Sequence, residues 1–274
     1  MCYRSASLME SDGSETGNNN GSPTAARTAH ILYVGHATVL VEMDGVRLLT
    51  DPLVRLRIAH LRRVGEVDPR VLGGIDAVLI SHLHLDHLDI PSLRRIDGGP
   101  PIVAPQGAGR LLKRKGFSSV HELAVGERLR VGELTVRATP AVHDRRRRPF
   151  GVRAEPIGYV IEGSRSLYFA GDTDLFDEMG ELGPVDVALV PIWGWGPSLG
   201  VGHLDPRRAA EAARRLRASI TIPIHWGTYF PLHTAFLHAR TFLHAPADEF
   251  RSHMREIAPE VEVRILRPGE ETLV

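Results

Sequence analysis

The nine residues "SHLHLDHLD" at positions 81–89 concentrate side chains that can bind metal ions. Four of them have the spacing His82-x-His84-x-Asp86-His87, directly after a short apolar run. Residues two apart in an extended segment point to the same side, so His82 and His84 can hold one ion between them. Asp86 and His87 lie where the chain turns away and can face a second ion. Burying so many polar groups is unfavourable unless something binds them, so the cluster predicts a metal site.

Three further candidates follow predicted strands. His143 comes after "TPAV", Asp172 after "YFAG" and His225 after "TIPI". Strand ends that open on one edge of a sheet are where sites in α/β folds are usually assembled, so we expect these side chains to approach the cluster. Asp174 is expected in the loop beyond Asp172. Other histidines that share no spacing rule are interpreted as structural or surface residues: His203, His233, His238, His244 and His253.

The composition argues against several other classes of protein. The 274-residue chain has 33 basic and 33 acidic residues, so no net field would attract nucleic acid or an anionic membrane. The single cysteine, Cys2, leaves no disulfide framework and limits metal ligands to His, Asp and Glu. No apolar run approaches the ~20 residues of a membrane span, and no signal-peptide core is evident, so we expect a cytoplasmic protein.

The elements that must position these residues are typical of an α/β protein. Residues 1–28 are rich in Ser, Gly, Asn and Thr and are interpreted as a disordered leader, followed by one domain over residues 29–274. Antiparallel hairpins are predicted early in the domain, the first around Asp44-Gly45. Strands and helices alternate later, which predicts mixed sheets.

Two helices and one irregular stretch are predicted within this domain. A helix is predicted to begin with Asp205 as its cap and Pro206 in its first turn, and a closing helix is predicted over "ADEFRSHMREI". The arginine-rich stretch from Arg55 to Arg70 is expected to be irregular.

The 82–87 spacing resembles the His-x-His-x-Asp-His motif of the metallo-β-lactamase superfamily. Five flanking motifs occur in the order of that superfamily: "GHATVLVE", "LTDP", "YFAGDT", "DVALVPI" and "IPIHWGT". Together they resemble the branch that contains N-acyl-phosphatidylethanolamine-hydrolysing phospholipase D and L-ascorbate-6-phosphate lactonase. The resemblance covers roughly residues 30 to 230. It implies a four-layer αβ/βα sandwich of two mixed β-sheets.

Transferred residue by residue, the resemblance implies two divalent metal ions, with Zn²⁺ expected and Mn²⁺ or Fe²⁺ as alternatives. The first ion is expected to bind His82, His84 and His143. The second is expected to bind Asp86, His87 and His225, and Asp172 is expected to bridge the two; Asp86, Asp172 and His225 are the predicted catalytic residues. Asp51 in "LTDP" matches an aspartate that orients ligands through hydrogen bonds, and a simple Asp-Pro turn is the alternative.

The expected chemistry follows from this set of ligands. Two ions ~3.5–4 Å apart can share a water and lower its pKa, so that a bridging hydroxide attacks a carbonyl or phosphorus centre. We therefore predict a hydrolase that acts on a small anionic substrate, a phosphodiester or phosphorylated ester, with a lactone as the alternative. A metal-free, non-catalytic module is disfavoured because all seven ligand positions are intact. A nuclease is disfavoured by the neutral charge.

Two segments are candidates for contact with the substrate. Arg145, Arg146, Arg147 and Arg148 directly follow His143. Trp193 and Trp195 lie in a glycine-rich stretch after a predicted strand. The alternatives are a solvated loop for the arginines and loop packing for the tryptophans.

Overall fold

The computed structural model describes residues 28–146, 151–193, 200–231 and 239–274, with side chains in the last segment described from residue 243. Short strands dominate these residues, with few helices. The strands are β1 (Ala29–Gly35), β2 (Thr38–Met43), β3 (Val46–Thr50), β4 (Arg57–Ile58), β5 (Leu61–Arg63), β6 (Ala77–Leu79), β7 (Ile102–Pro105), β8 (Val120–Leu123), β9 (Arg128–Val131), β10 (Leu134–Pro140), β11 (Ile157–Glu162), β12 (Ser166–Phe169), β13 (Val187–Pro191), β14 (Ile220–Ile224), β15 (Tyr229–Pro231), β16 (Glu262–Val263) and β17 (Glu271–Leu273). The α-helices are α1 (Ile90–Leu93), α2 (Gly109–Arg114), α3 (Pro206–Arg215) and α4 (Ala239–Ile257).

Two seven-stranded mixed sheets form the centre of the fold, as predicted. The first has the order β17-β1-β2-β3-β6-β7-β8, and the second has the order β16-β14-β13-β12-β11-β10-β9. Each is antiparallel at one end and parallel at the other: β17 to β3 and β9 to β12 pair antiparallel, while β3 to β8 and β12 to β16 pair parallel. The two sheets therefore repeat one arrangement. A third, three-stranded sheet, β15-β5-β4, was not anticipated.

Alternation along β1 shows how the layers stack. Ile31 and Tyr33 belong to the apolar cluster between the sheets, whereas Val34 belongs to a cluster that includes Leu93 of α1 and Leu112 of α2. Successive side chains of a strand point to opposite faces, so the first sheet is covered by the other sheet on one face and by helices on the other. Helix α3, whose alanines are buried, contacts β13 of the second sheet. This is the four-layer sandwich that was expected.

Two local predictions are confirmed. Asp44 and Gly45 both have positive φ angles, 52° and 78°, and join β2 to β3 in a two-residue hairpin turn. Helix α3 begins where its sequence predicts, because the Asp205 carboxylate accepts a hydrogen bond from the Arg208 backbone N–H at 2.8 Å.

The prediction that Arg55 to Arg70 is irregular was only partly right. This stretch contains β4, β5 and a 3₁₀ turn. Arg63 of β5 is buried and donates hydrogen bonds to the backbone carbonyls of Val34 and Leu53. Strands of two or three residues are too short to show an alternating pattern. In β5, a charged arginine also occupies a buried position where the pattern expects an apolar residue.

The ends of the chain also differ from the prediction. Helix α4 begins at Ala239, well before "ADEFRSHMREI", and contains Pro246. Strand β17 was not predicted, although it pairs with β1 and closes the edge of the first sheet. The predicted leader lies outside the described residues except for Thr28. No helix among the described residues has the length and apolar character needed to cross a bilayer.

Candidate metal centre

The ends of four strands bring the candidate residues to one edge of the sandwich. His225 follows β14 directly, while the other candidates are placed by the loops that leave β6, β10 and β12. All seven predicted ligand side chains meet there in two neighbouring groups. The structure thus brings together residues as far apart in sequence as His82 and His225, as the strand-end argument predicted.

The first group contains three imidazoles. His84 Nδ1 lies 3.0 Å from His82 Nε2 and 2.9 Å from His143 Nε2. His143 donates its Nδ1–H to the Gly202 carbonyl at 2.7 Å, which leaves a lone pair on Nε2. Ring nitrogens that face one another this closely repel unless a proton or a cation lies between them, so the donor set fits a metal ion.

The second group contains a carboxylate and two imidazoles. Asp86 Oδ2 lies 3.8 Å from His87 Nε2 and 4.0 Å from His225 Nε2, and these two nitrogens are 3.3 Å apart. His225 donates its Nδ1–H to the Trp193 carbonyl at 2.6 Å. The lone pair of its Nε2 therefore faces the group.

Asp172 lies between the two groups. Its Oδ2 is 3.3 Å from His87 Nε2, and its Oδ1 is 3.4 Å from His225 Nε2. The carboxylate also lies within 4.8 Å of the nearest nitrogen of His143, in the other group. Its Oδ1 is buried and accepts no hydrogen bond from the described residues. Burying a carboxylate oxygen without a hydrogen-bond donor is unfavourable, so this oxygen fits a position beside a cation.

Asp51 acts as more than a turn residue. One of its oxygens accepts the Nδ1–H of His87 at 2.8 Å, and the other accepts the backbone N–H of Ser81 at 2.7 Å. The side chain is fully buried. A carboxylate can only accept here, so it fixes the tautomer of His87 and turns Nε2 toward Asp172.

Burial and charge divide the histidines into two kinds. Burial lowers the pKa of His82 well below its usual value and that of His143 to about 4, so both rings are neutral near pH 7. Burial alone would lower the pKa of His87. The negative charges of Asp172 and Asp86 outweigh this effect, so the pKa is raised well above the usual value. Without metal, a proton on His87 thus supplies the positive charge that the carboxylates require.

Two residues of the site were missed by the sequence interpretation. His203, taken as a bystander, has Nε2 3.7 Å from Asp172 Oδ2, and its ring lies 4.7 Å from that of His143. His36, inside "GHATVLVE", has Nε2 3.2 Å from Asp86 Oδ2. His36 directly follows β1, and this position at a strand end is its sequence signal, whereas His203 comes well after β13 and has no such signal.

Asp174 lies in the loop beyond Asp172, as predicted, and it supports the site indirectly. It is buried, forms an ion pair with Arg208 and accepts the backbone N–H of Gly202 at 3.1 Å. Gly202 in turn holds His143 through its carbonyl. Asp174 therefore supports the loop that orients a candidate ligand.

The arginines predicted to meet the substrate differ in their surroundings. Arg145 pairs with Glu155 at 2.7 Å, so its charge is already matched. Arg146 lies beside Arg153 across a short antiparallel bridge. A cavity of about 280 Å³ here is lined by His143, Asp144, Arg145, Arg146 and Arg153. Arg147 and Arg148 lie outside the described residues.

Trp193 is the other predicted substrate contact within the described residues. The side chain is buried in the apolar cluster between the layers, and its backbone carbonyl holds His225. This burial agrees with the alternative interpretation, in which the tryptophan serves loop packing. Trp195 lies outside the described residues.

Comparison with known proteins agrees with this fold. Residues 46–226 match the sequence model of a family described as a beta-lactamase superfamily domain. A UPF0173 metal-dependent hydrolase of Methanopyrus kandleri is 32% identical over 249 residues, covering 88% of this chain and 97% of the relative. N-acyl-phosphatidylethanolamine-hydrolyzing phospholipase D 1 of Caenorhabditis elegans is 33% identical over 225 residues, covering 72% of this chain and 63% of the relative.

A solved structure shares the fold. Igni18, a metallo hydrolase from Ignicoccus hospitalis, superposes with a TM-score of 0.66 at 24% identity, covering 90% of this chain and 98% of that protein. The chain therefore belongs to the metallo-β-lactamase superfamily and is a metal-dependent hydrolase of that fold.

Proposed function

We propose that this hydrolase uses two divalent ions and cleaves a small phosphodiester or other phosphorylated ester. The observation that carries the proposal is Asp172, whose carboxylate lies against both ligand groups. His82, His84 and His143 would hold one ion, and Asp86, His87 and His225 the other, with Asp172 shared. Five imidazoles and two carboxylates favour Zn²⁺, with Mn²⁺ and Fe²⁺ as the other candidates.

The protein's own residues orient and charge this site. Ions bound there would lower the pKa of a coordinated water and draw charge from the phosphoryl oxygen of the substrate. Asp51 aims His87, the Trp193 carbonyl aims His225 and the Gly202 carbonyl aims His143. Each hydrogen bond orients its ring so that Nε2 faces the metal position. Among these groups, Asp86, Asp172 and His225 are the proposed catalytic residues.

An anionic substrate is supported by the cavity beside His143. Arg146 and Arg153 line it, and no carboxylate among the described residues forms an ion pair with either. Guanidinium groups bind phosphate oxygens through paired hydrogen bonds. The C. elegans relative is named for hydrolysing N-acyl-phosphatidylethanolamine, which is itself a phosphodiester.

The arginine cavity leads to a first prediction. The double variant Arg146→Gln/Arg153→Gln is expected to lower kcat/KM for bis-(p-nitrophenyl) phosphate by roughly 10- to 150-fold, because a hydrogen bond to a charged group contributes about 1.5–3 kcal/mol. Hydrolysis of a neutral lactone of similar size should change little. Arg128→Gln, an exposed arginine on β9, is the matched control. Equal losses on both substrates, or no loss on the phosphodiester, would reject the anion-binding role.

A second prediction concerns the pH dependence of metal binding. His87 must lose its proton before Nε2 can bind an ion, whereas the ring of His143 is already neutral. One of two binding steps should therefore weaken as the pH falls from 8 to 6 and release a proton, while the other changes little over that range. Calorimetric titration in two buffers of different ionisation enthalpy measures this release. Two steps of identical pH dependence would contradict the assignment.

The function itself is tested by activity of the metal-loaded protein. The protein should be assayed side by side on bis-(p-nitrophenyl) phosphate, simple lactones and a phospholipid, before and after removal of metal with a chelator. The proposal expects phosphodiester hydrolysis that is lost with the metal and restored on its return. Metal-dependent hydrolysis of lactones alone would assign the lactonase alternative instead.

A further inference from the structure

His36 is a buried histidine held in an unusual backbone conformation beside the second ligand group. It follows β1 with φ = 59°, in the left-handed region that side chains other than glycine rarely adopt, and it is 1% exposed. Its backbone N–H donates to Thr228 Oγ1 at 2.7 Å. Its carbonyl accepts the N–H of His225 at 2.7 Å. Strain of this kind persists only where the surroundings impose it, and it is concentrated at functional sites.

The residue before it explains how the turn is held. Gly35 has φ = 130°, and a Cβ there would lie 2.8 Å from the Thr228 side chain and 2.9 Å from the Arg63 guanidinium. Arg63 also donates to the Val34 carbonyl, one residue earlier. The turn that contains His36 is therefore held from two sides, by Arg63 of β5 and by Thr228 in the segment after β14.

The side chain of His36 contacts two of the proposed ligands at once. Its Nε2 lies 3.2 Å from Asp86 Oδ2, and its ring centroid lies 3.9 Å from that of His225. Because a carboxylate can only accept, Nε2 must carry the hydrogen and has no lone pair left for a metal. His36 is thus placed to orient Asp86 through Nε2.

The repeated arrangement of the sheets supports a role in the site. β1 and β10 each lie second from the antiparallel edge of their sheet. His36 follows β1, and the candidate ligand His143 follows β10. The two halves of the fold therefore present a histidine from equivalent strands. One reaches the three-histidine group, and the other reaches the group around Asp86.

We propose that His36 is a positioning residue for the second ion: its ring fixes the Asp86 carboxylate, and its backbone fixes His225. This inference rests on the proposed function. Removing a hydrogen-bonding partner of a metal ligand typically weakens metal binding ~10- to 100-fold. The loss should fall on the ion held by Asp86, His87 and His225, because His36 contacts Asp86 and His225.

The test compares His36→Gln with His36→Met. These side chains have similar length and place the same strain on the backbone, but only Gln carries a donor that can reach Asp86. Zn²⁺ is titrated into each metal-free variant by calorimetry, with His121→Gln, an exposed residue on β8, as the control. The Met variant should lose roughly 10- to 100-fold in affinity for one of two ions and keep the other, while the Gln variant should stay within severalfold of the parent.

Other outcomes would overturn the proposal. Parental affinities in the Met variant, equal weakening of both ions, or a Gln variant as weak as the Met variant would each contradict it. If the Met variant fails to fold, His36→Asn replaces it, because Asn tolerates the left-handed backbone and its amide is too short to reach Asp86. A parent protein that binds no ion would refute the proposed function as well, whereas a parent that binds two and an unaffected Met variant would refute this inference alone.

Discussion

Replacing Asp172 by asparagine is expected to lower kcat/KM by about a thousandfold or more, which is about 4 kcal/mol of transition-state stabilisation. The carboxylate lies against His87 and His225 in one group and near His143 in the other. Asparagine keeps the shape but removes the negative charge that would let two cations lie side by side. The measurement is the steady-state rate on a phosphodiester together with the metal content of the same sample.

The control for this variant is Asp177→Asn. Asp177 lies in a 3₁₀ turn five residues further along, with its side chain fully exposed. Asp174, although closer, is unsuitable because it pairs with Arg208 and holds Gly202. If the Asp172 and Asp177 variants retained equal activity at full metal loading, the shared-carboxylate assignment would be wrong.

Replacing Asp51 by alanine is expected to weaken metal binding ~10- to 100-fold and to destabilise the fold by about 1–3 kcal/mol. The variant leaves the buried Ser81 N–H without its acceptor and frees the His87 ring to turn. Metal titration and denaturant unfolding of the metal-free protein measure the two effects separately.

Asp248→Ala, a substitution at an exposed carboxylate on α4, is the control for the Asp51 variant. A metal affinity equal to that of the control would show that His87 needs no partner, and the interpretation of "LTDP" as a simple Asp-Pro turn would stand.

The seven candidate ligands could be predicted because their signal is local. The 82–87 cluster is recognisable from spacing alone, and His143, Asp172 and His225 each follow a strand of recognisable apolar character. Once two mixed sheets are predicted, the ends of their strands must meet at an edge. The sequence was therefore sufficient to place these side chains together.

What could not be predicted depends on contacts between distant segments. His36 reaches Asp86 only because Thr228 and Arg63 hold a left-handed turn, and a positive φ at histidine has no sequence signal. Trp193 was predicted to contact the substrate because a glycine-rich stretch is typical of an exposed loop, where a tryptophan could meet a ligand. Its burial is set by the packing of the layers, which single-sequence patterns do not describe.

The central claim, that two ions share one carboxylate, is tested most directly by counting the metal. Purified protein is stripped with a chelator, reloaded with Zn²⁺, freed of excess metal and measured by elemental analysis alongside Asp172→Asn. The account predicts two ions per chain in the parent and fewer than two in the variant. A parent that retains one ion or none, or a variant that still binds two as tightly, would contradict it.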